Sequence, residues 1–148
     1  MKKYRLIVTA AAALFLLGIA APPAMAATTV APEIQAVLDE VPGGVVVDYF
    51  HAEWPDRHMS MSIEMTLTVG SCATGTYCAY NTAGLTGTKL SWTTCTTQTL
   101  PTSFILRSFA NGRTSGTVQA RNGTTVVATV GASAWANVTA TTTNLRCS

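Results

Sequence analysis

Thr117-Val118-Gln119-Ala120-Arg121-Asn122-Gly123-Thr124-Thr125-Val126-Val127-Ala128-Thr129-Val130 is the stretch that decides the fold class of this chain. β-Branched residues recur on both sides of Asn122-Gly123, and a tight two-residue turn between antiparallel strands needs the positive φ that Asn and Gly tolerate. The stretch therefore reads as a β-hairpin with Asn122-Gly123 at its turn. Upstream, the chain from Gly70 onward is rich in Thr, Ser and Gly, with short strands expected near residues 77–80, 88–92, 104–109, 117–121 and 124–130. No helical period interrupts them, and regularly spaced short strands indicate a small all-β sandwich of Greek-key type.

The segment before it is different. Pro32 and Glu33 suit a first helical turn, Ile34, Val37, Leu38 and Val41 repeat at helical spacing, and Pro42-Gly43-Gly44 stops the run. Val45 to Phe50 is β-prone and Trp54-Pro55-Asp56-Arg57 reads as a turn. Met59, Met61, Ile63, Met65, Leu67 and Val69 then alternate with polar residues, as one face of a strand packed into a core does. The organisation expected is a leader at 1–26, an acidic segment of one short helix plus a β-hairpin at 27–69, and an all-β domain at 70–148.

The leader reads as an address. Met-Lys-Lys-Tyr-Arg opens into an apolar run from Leu6 to Ala21, followed by the small-residue site Ala24-Met25-Ala26, which is the pattern of a secretory signal peptide. The run falls short of the ~20 residues that span a bilayer. The expected product starts at Ala27, is secreted and has no membrane association. Without the leader, six cations stand against seven acids. Such a balance excludes a polyphosphate or nucleic-acid partner, which needs clustered Lys and Arg. Export also sets the redox state of Cys72, Cys78, Cys95 and Cys147. Four cysteines allow three pairings. The short gap around Gly75 permits a local Cys72–Cys78 bridge, which leaves Cys95 for Cys147.

All seven acids precede residue 65, and both histidines, His51 and His58, do too. The β-domain alone therefore has no carboxylate pair, no Ser-His-Asp set and no hard-metal cage. His51, Glu53, Asp56 and His58 cluster within eight residues, yet Pro55 breaks any helix that would align them. They read as a polar turn between strands, and a hydrolase built on His51 and His58 ranks last among the functions considered. No cofactor and no metal are expected.

Cys72-x-x-Gly75-x-x-Cys78-x-Tyr80-x-x-x-x-Leu85-x-Gly87, with Leu100-Pro101 and Arg107-Ser108-Phe109-Ala110-Asn111, resembles the small secreted actinobacterial proteins grouped as peptidase inhibitor family 36. The resemblance spans most of residues 30 to 115. It implies a βγ-crystallin-like Greek-key sandwich in which Tyr80 is the corner aromatic, Gly87 takes a strained turn and Ser108 ties the folded hairpin. Leu85 stands where that family usually has an aromatic. The wider fold often binds calcium at a hexad, here Ser103 to Ser108, but Ser103 and Phe104 replace its Asp or Asn ligands, so calcium is not expected. The family's best-understood inhibitor has a second close cysteine pair that this chain lacks, and no reactive-site residue carries over. The function implied is a non-catalytic inhibitor of a secreted peptidase. Independently of the resemblance, the contact expected is the stapled loop Thr74, Gly75, Thr76 and Tyr77, because a cross-linked loop can enter a peptidase cleft without being easily cut. A structural or envelope-associated extracellular protein is the alternative. The sequence specifies neither the target nor an oligomeric state.

Overall fold

The structure, a computed structural model, describes residues 29–63 and 72–148. The expected signal peptide and the alternation beyond Ile63 lie outside these residues. The chain opens with helix α1 (Pro32–Glu40), which has Pro at its start, Glu33 in its first turn and Ile34 and Val37 buried. The helix ends as expected. Gly43 takes φ +89°, and Gly44 lets Leu38 and Trp54 approach so closely that a Cβ would collide with both. Trp54 then donates its indole N–H to the Val41 carbonyl at 2.8 Å, fixing the helix end to the strand that follows.

Among the described residues eleven strands follow: β1 (Val45–Asp48), β2 (His51–Trp54), β3 (Met59–Ile63), β4 (Tyr77–Thr82), β5 (Thr86–Trp92), β6 (Thr97–Thr99), β7 (Ser108–Asn111), β8 (Val118–Asn122), β9 (Thr125–Val130), β10 (Ala134–Asn137) and β11 (Asn144–Cys147). They form two antiparallel sheets, ordered β1-β2-β3-β5-β4-β7-β10 and β6-β11-β8-β9. Strands β4 to β7 and β8 to β11 are two four-strand motifs that exchange their third members. β6 joins the sheet of the second motif and β10 that of the first. This interlocked sandwich, stapled by two disulfides, is the mainly β, small Greek-key architecture expected.

The core lies between the sheets. Alternation along β5 directs Thr88, Leu90 and Trp92 inward and Lys89 and Ser91 outward. Trp54, Met61, Tyr77, Ala79 and Phe109 from the first sheet meet Val118, Ala120 and Leu145 from the second, with Ile34 and Val37 of α1 in the same cluster. The acidic segment is continuous with this architecture, because β3 pairs with β5 from Met59↔Trp92 to Ile63↔Thr88. Glu40 adds a tie across the fold. Its carboxylate accepts the backbone N–H groups of Thr102 and Ser103 and the Ser103 hydroxyl, and these bonds hold its carboxyl below the ordinary glutamate range.

Several local expectations are corrected. Residues 104–107 are not strand: Phe104 closes a turn onto the Pro101 carbonyl, and Phe104 and Leu106 enter the core from a loop. At the hairpin, Asn122 pairs with Thr125, so the turn residues are Gly123 (φ +58°) and Thr124 rather than Asn122-Gly123. A register shift between Ala120 and Arg121 accompanies that displacement. Ahead of the Pro55–Arg57 turn, His51–Trp54 forms a strand, and the β-prone segment breaks at Tyr49-Phe50 to make the hairpin between β1 and β2.

Candidate binding site

Cys72 and Cys78 are bridged with their Cα atoms 5.7 Å apart, and Cys95 and Cys147 with theirs 5.0 Å apart. The first bridge closes the loop expected to make contact. Inside it Gly75 takes φ +88°, the Thr76 amide donates to the Ala73 carbonyl at 3.0 Å, and the Thr76 hydroxyl donates to the same oxygen at 2.7 Å. The loop is thus a hydrogen-bonded turn as well as a cross-linked one. Support comes from below, where the Gly75 amide donates to the Gly112 carbonyl at 3.0 Å. Gly112 sits so close beneath the loop that a Cβ would lie 2.6 Å from the Ala73 carbonyl oxygen, so only glycine fits there.

The four residues assigned to this contact do not share one environment. Thr74 and Gly75 are exposed and Thr76 is partly covered. Tyr77 is fully buried: its ring stacks on Trp92 with centroids 5.3 Å apart, and its hydroxyl donates to the Thr96 carbonyl at 3.1 Å. It is a core residue, because β4 begins at Tyr77 and turns that side chain toward the second sheet. The exposed tip is Ala73, Thr74 and Gly75.

The residues expected to shape the folded hairpin do so together. The buried Ser108 hydroxyl donates to the Thr82 carbonyl at 2.7 Å and accepts the Leu85 amide at 3.0 Å. Gly87 has φ +80°, and a Cβ there would meet Asn81 Oδ1 and Thr82 Oγ1 at 2.5 Å. Tyr80 and Leu85 are buried with Cys78 and Ala110 on the outer side of the sheet, so Leu85 fills the corner, at φ +61°. The second motif repeats the device with Thr143, whose hydroxyl accepts the Gly123 amide at 2.8 Å.

His51 and Glu53 project from the outer face of β2, with Nε2 and Oε1 3.6 Å apart and both side chains solvated. Asp56 lies in the following turn, and His58 ends it at φ +49°. Among the described residues no group of three or more His, Cys, Asp or Glu side chains is placed to share a metal. At the hexad, Phe104 is buried in the core and Ser103 is engaged by Glu40. Calcium or EDTA should therefore leave the melting temperature unchanged. A ligand at a hundred times its Kd would add about 2.7 kcal/mol, and a rise of that size with calcium would show a site elsewhere.

Among the described residues no helix is long and apolar enough to cross a membrane. Comparison with protein-family models, with curated proteins and with solved structures finds no match.

Proposed function

We propose that this chain is a secreted binding protein of the peptidase-inhibitor type, acting without catalysis through the tip of its stapled loop. The observation that supports this reading is the preorganisation of Ala73, Thr74 and Gly75. A disulfide closes them, internal hydrogen bonds set their turn, and Gly112 holds them from beneath. A loop already ordered loses little conformational entropy when it enters a partner's cleft. The bridge also restricts the extended conformation that a peptidase needs in order to cut. The two disulfides and the signal-like leader favour an extracellular setting.

The test is inhibition of metallo-, serine and cysteine peptidases by saturating protein from residue 27 onward. One class should be inhibited saturably, and Thr74→Arg should weaken that inhibition by roughly tenfold, as loss of a central contact does, with an unchanged melting temperature. No inhibition of any class would move the reading to a structural, envelope-associated protein.

A further inference from the structure

A second feature of the same end of the molecule extends that reading and rests on it. Of the three tryptophans, Trp54 and Trp92 are 1% exposed whereas Trp135 is 48% exposed. Trp135 lies on β10, at the edge of the larger sheet, opposite Ala110, which in turn lies opposite Cys78. Side chains paired in this way share a face, so the indole stands on the side of the sheet that carries the Cys72–Cys78 bridge. Between them is a recess of about 250 Å³ lined by Cys72, Thr74, Leu85, Ala110 and Trp135 among others.

Arg113 sits where the loops meet. Its Nη1 donates to the Gly75 carbonyl at 3.4 Å, and its own carbonyl accepts the Ser133 amide at 3.1 Å, two residues before Trp135. The buried Asn111 side chain accepts the Arg113 amide and donates to the Gly116 carbonyl, fixing the loop that carries the guanidinium. Three loops are thereby locked into one surface.

Among the residues of these three loops, Arg113 is the one that carries a charge. No acid follows Glu64, and the described acids belong to α1, the β1–β2 hairpin and the turn after it. The ion pair found among the described residues joins His51 to Glu53, so Arg113 has no carboxylate partner among them. Trp and Arg are also the residues enriched where binding energy concentrates.

We propose that Trp135, Arg113 and the stapled-loop tip form one contact face for a protein partner that presents a carboxylate beside an apolar side chain. The carboxylate pairs with Arg113, and the apolar group enters the recess against Trp135. A protein fits better than an anionic polymer, because the exposed Trp135 ring offers an apolar contact and one guanidinium does not make the cationic cluster that a polyphosphate requires.

The experiment uses an acetylated hexapeptide of alternating glutamate and leucine, its lysine-leucine counterpart, and a polyphosphate chain, each titrated by calorimetry and by tryptophan emission. The glutamate peptide should bind, blue-shift the emission, and weaken with salt. Arg113→Glu should reverse the preference toward the lysine peptide, and Trp135→Ala should weaken binding by roughly tenfold, both without a change in melting temperature. Equal binding of both peptides, tighter binding of polyphosphate, no binding at all, or glutamate-peptide binding indifferent to both variants would overturn the face.

Both variants are also run in the peptidase assay. If Thr74→Arg relieves inhibition while they do not, the loop reading stands and the wider face falls. If no peptidase is inhibited yet the glutamate peptide binds as described, the face stands and the inhibitor reading falls.

Discussion

Replacing Cys95 and Cys147 together by alanine should lower the unfolding free energy by roughly 4 kcal/mol, the chain-entropy value for closing a loop of about fifty residues. The pair is separated by 52 positions and joins the segment after β5 to the last strand. Its position amplifies the effect. β11 lies between β6 and β8, and β6, only three residues long, reaches its sheet immediately after Cys95. Near the bridge, the Cys147 amide donates to the Thr96 carbonyl at 3.2 Å, and Ser148 exchanges hydrogen bonds with Thr117. Opening the bridge therefore frees the crossing strand and the chain end in one step. Removing Cys72–Cys78, whose positions are 6 apart, should cost less, about 2 kcal/mol on the same scale. Urea unfolding of the two double variants checks both the loss and the order. A reversed order would show that local strain or residual unfolded structure, not loop length, governs these bridges.

Much of this architecture was legible in the sequence because the signals are local. Alternation in β3 and β5, the stop at Pro42-Gly43-Gly44, the even cysteine count and the small loop around Gly75 each act within a few residues, and each appears in the fold. The missed strands depend on distant partners. Thr97–Thr99 and Ala134–Asn137 are short and carry no alternation strong enough to announce them, and each is strand because the opposite motif offers an edge. Asn144–Cys147 is recruited in the same way, between β6 and β8. Arg107 shows the converse. It lies in the 104–109 stretch expected to be strand, but its amide instead meets the Tyr80 carbonyl at 2.8 Å from a loop.

The parts of the candidate site divide in the same way. Cys72, Gly75 and Cys78 declare a stapled turn by type and spacing, whereas Gly112, Arg113 and Trp135 come to it only through the pairing of β4, β7 and β10. Asn111 carries no local sign of its role either, since its partners, Arg113 and Gly116, define a turn only once β7 has formed. A sheet thus assembles, from three separate stretches, a surface whose members look unrelated in the chain.

Tyr77→Ala should destabilise the protein by about 3–5 kcal/mol, the usual cost of deleting a fully buried aromatic ring and leaving a cavity. The ring has no solvent exposure, stacks on Trp92 at an interplanar angle of 22°, and carries a hydroxyl bonded to Thr96. Tyr77→Phe keeps the packing and gives up only the hydrogen bond, so its cost should be about 1 kcal/mol. Desolvation by burial pushes the Tyr77 phenol above the ordinary tyrosine range, outweighing the opposing bond to Thr96. The unfolded chain therefore ionises first on the alkaline side. The stability tied to the neutral phenol is complete below the ordinary tyrosine pKa and is lost as pH rises through the raised value; Tyr77→Phe should remove this alkaline contribution. Unfolding curves at neutral and alkaline pH test both substitutions, and a loss below about 1 kcal/mol for Tyr77→Ala would mean that the ring is not the core element its burial implies. Because its effect is on folding, loss of inhibition in Tyr77→Ala would say nothing about contact. That question belongs to Thr74, whose side chain is exposed on the same stapled turn, so that Thr74→Arg changes the surface offered to a partner while leaving the stack beneath it intact.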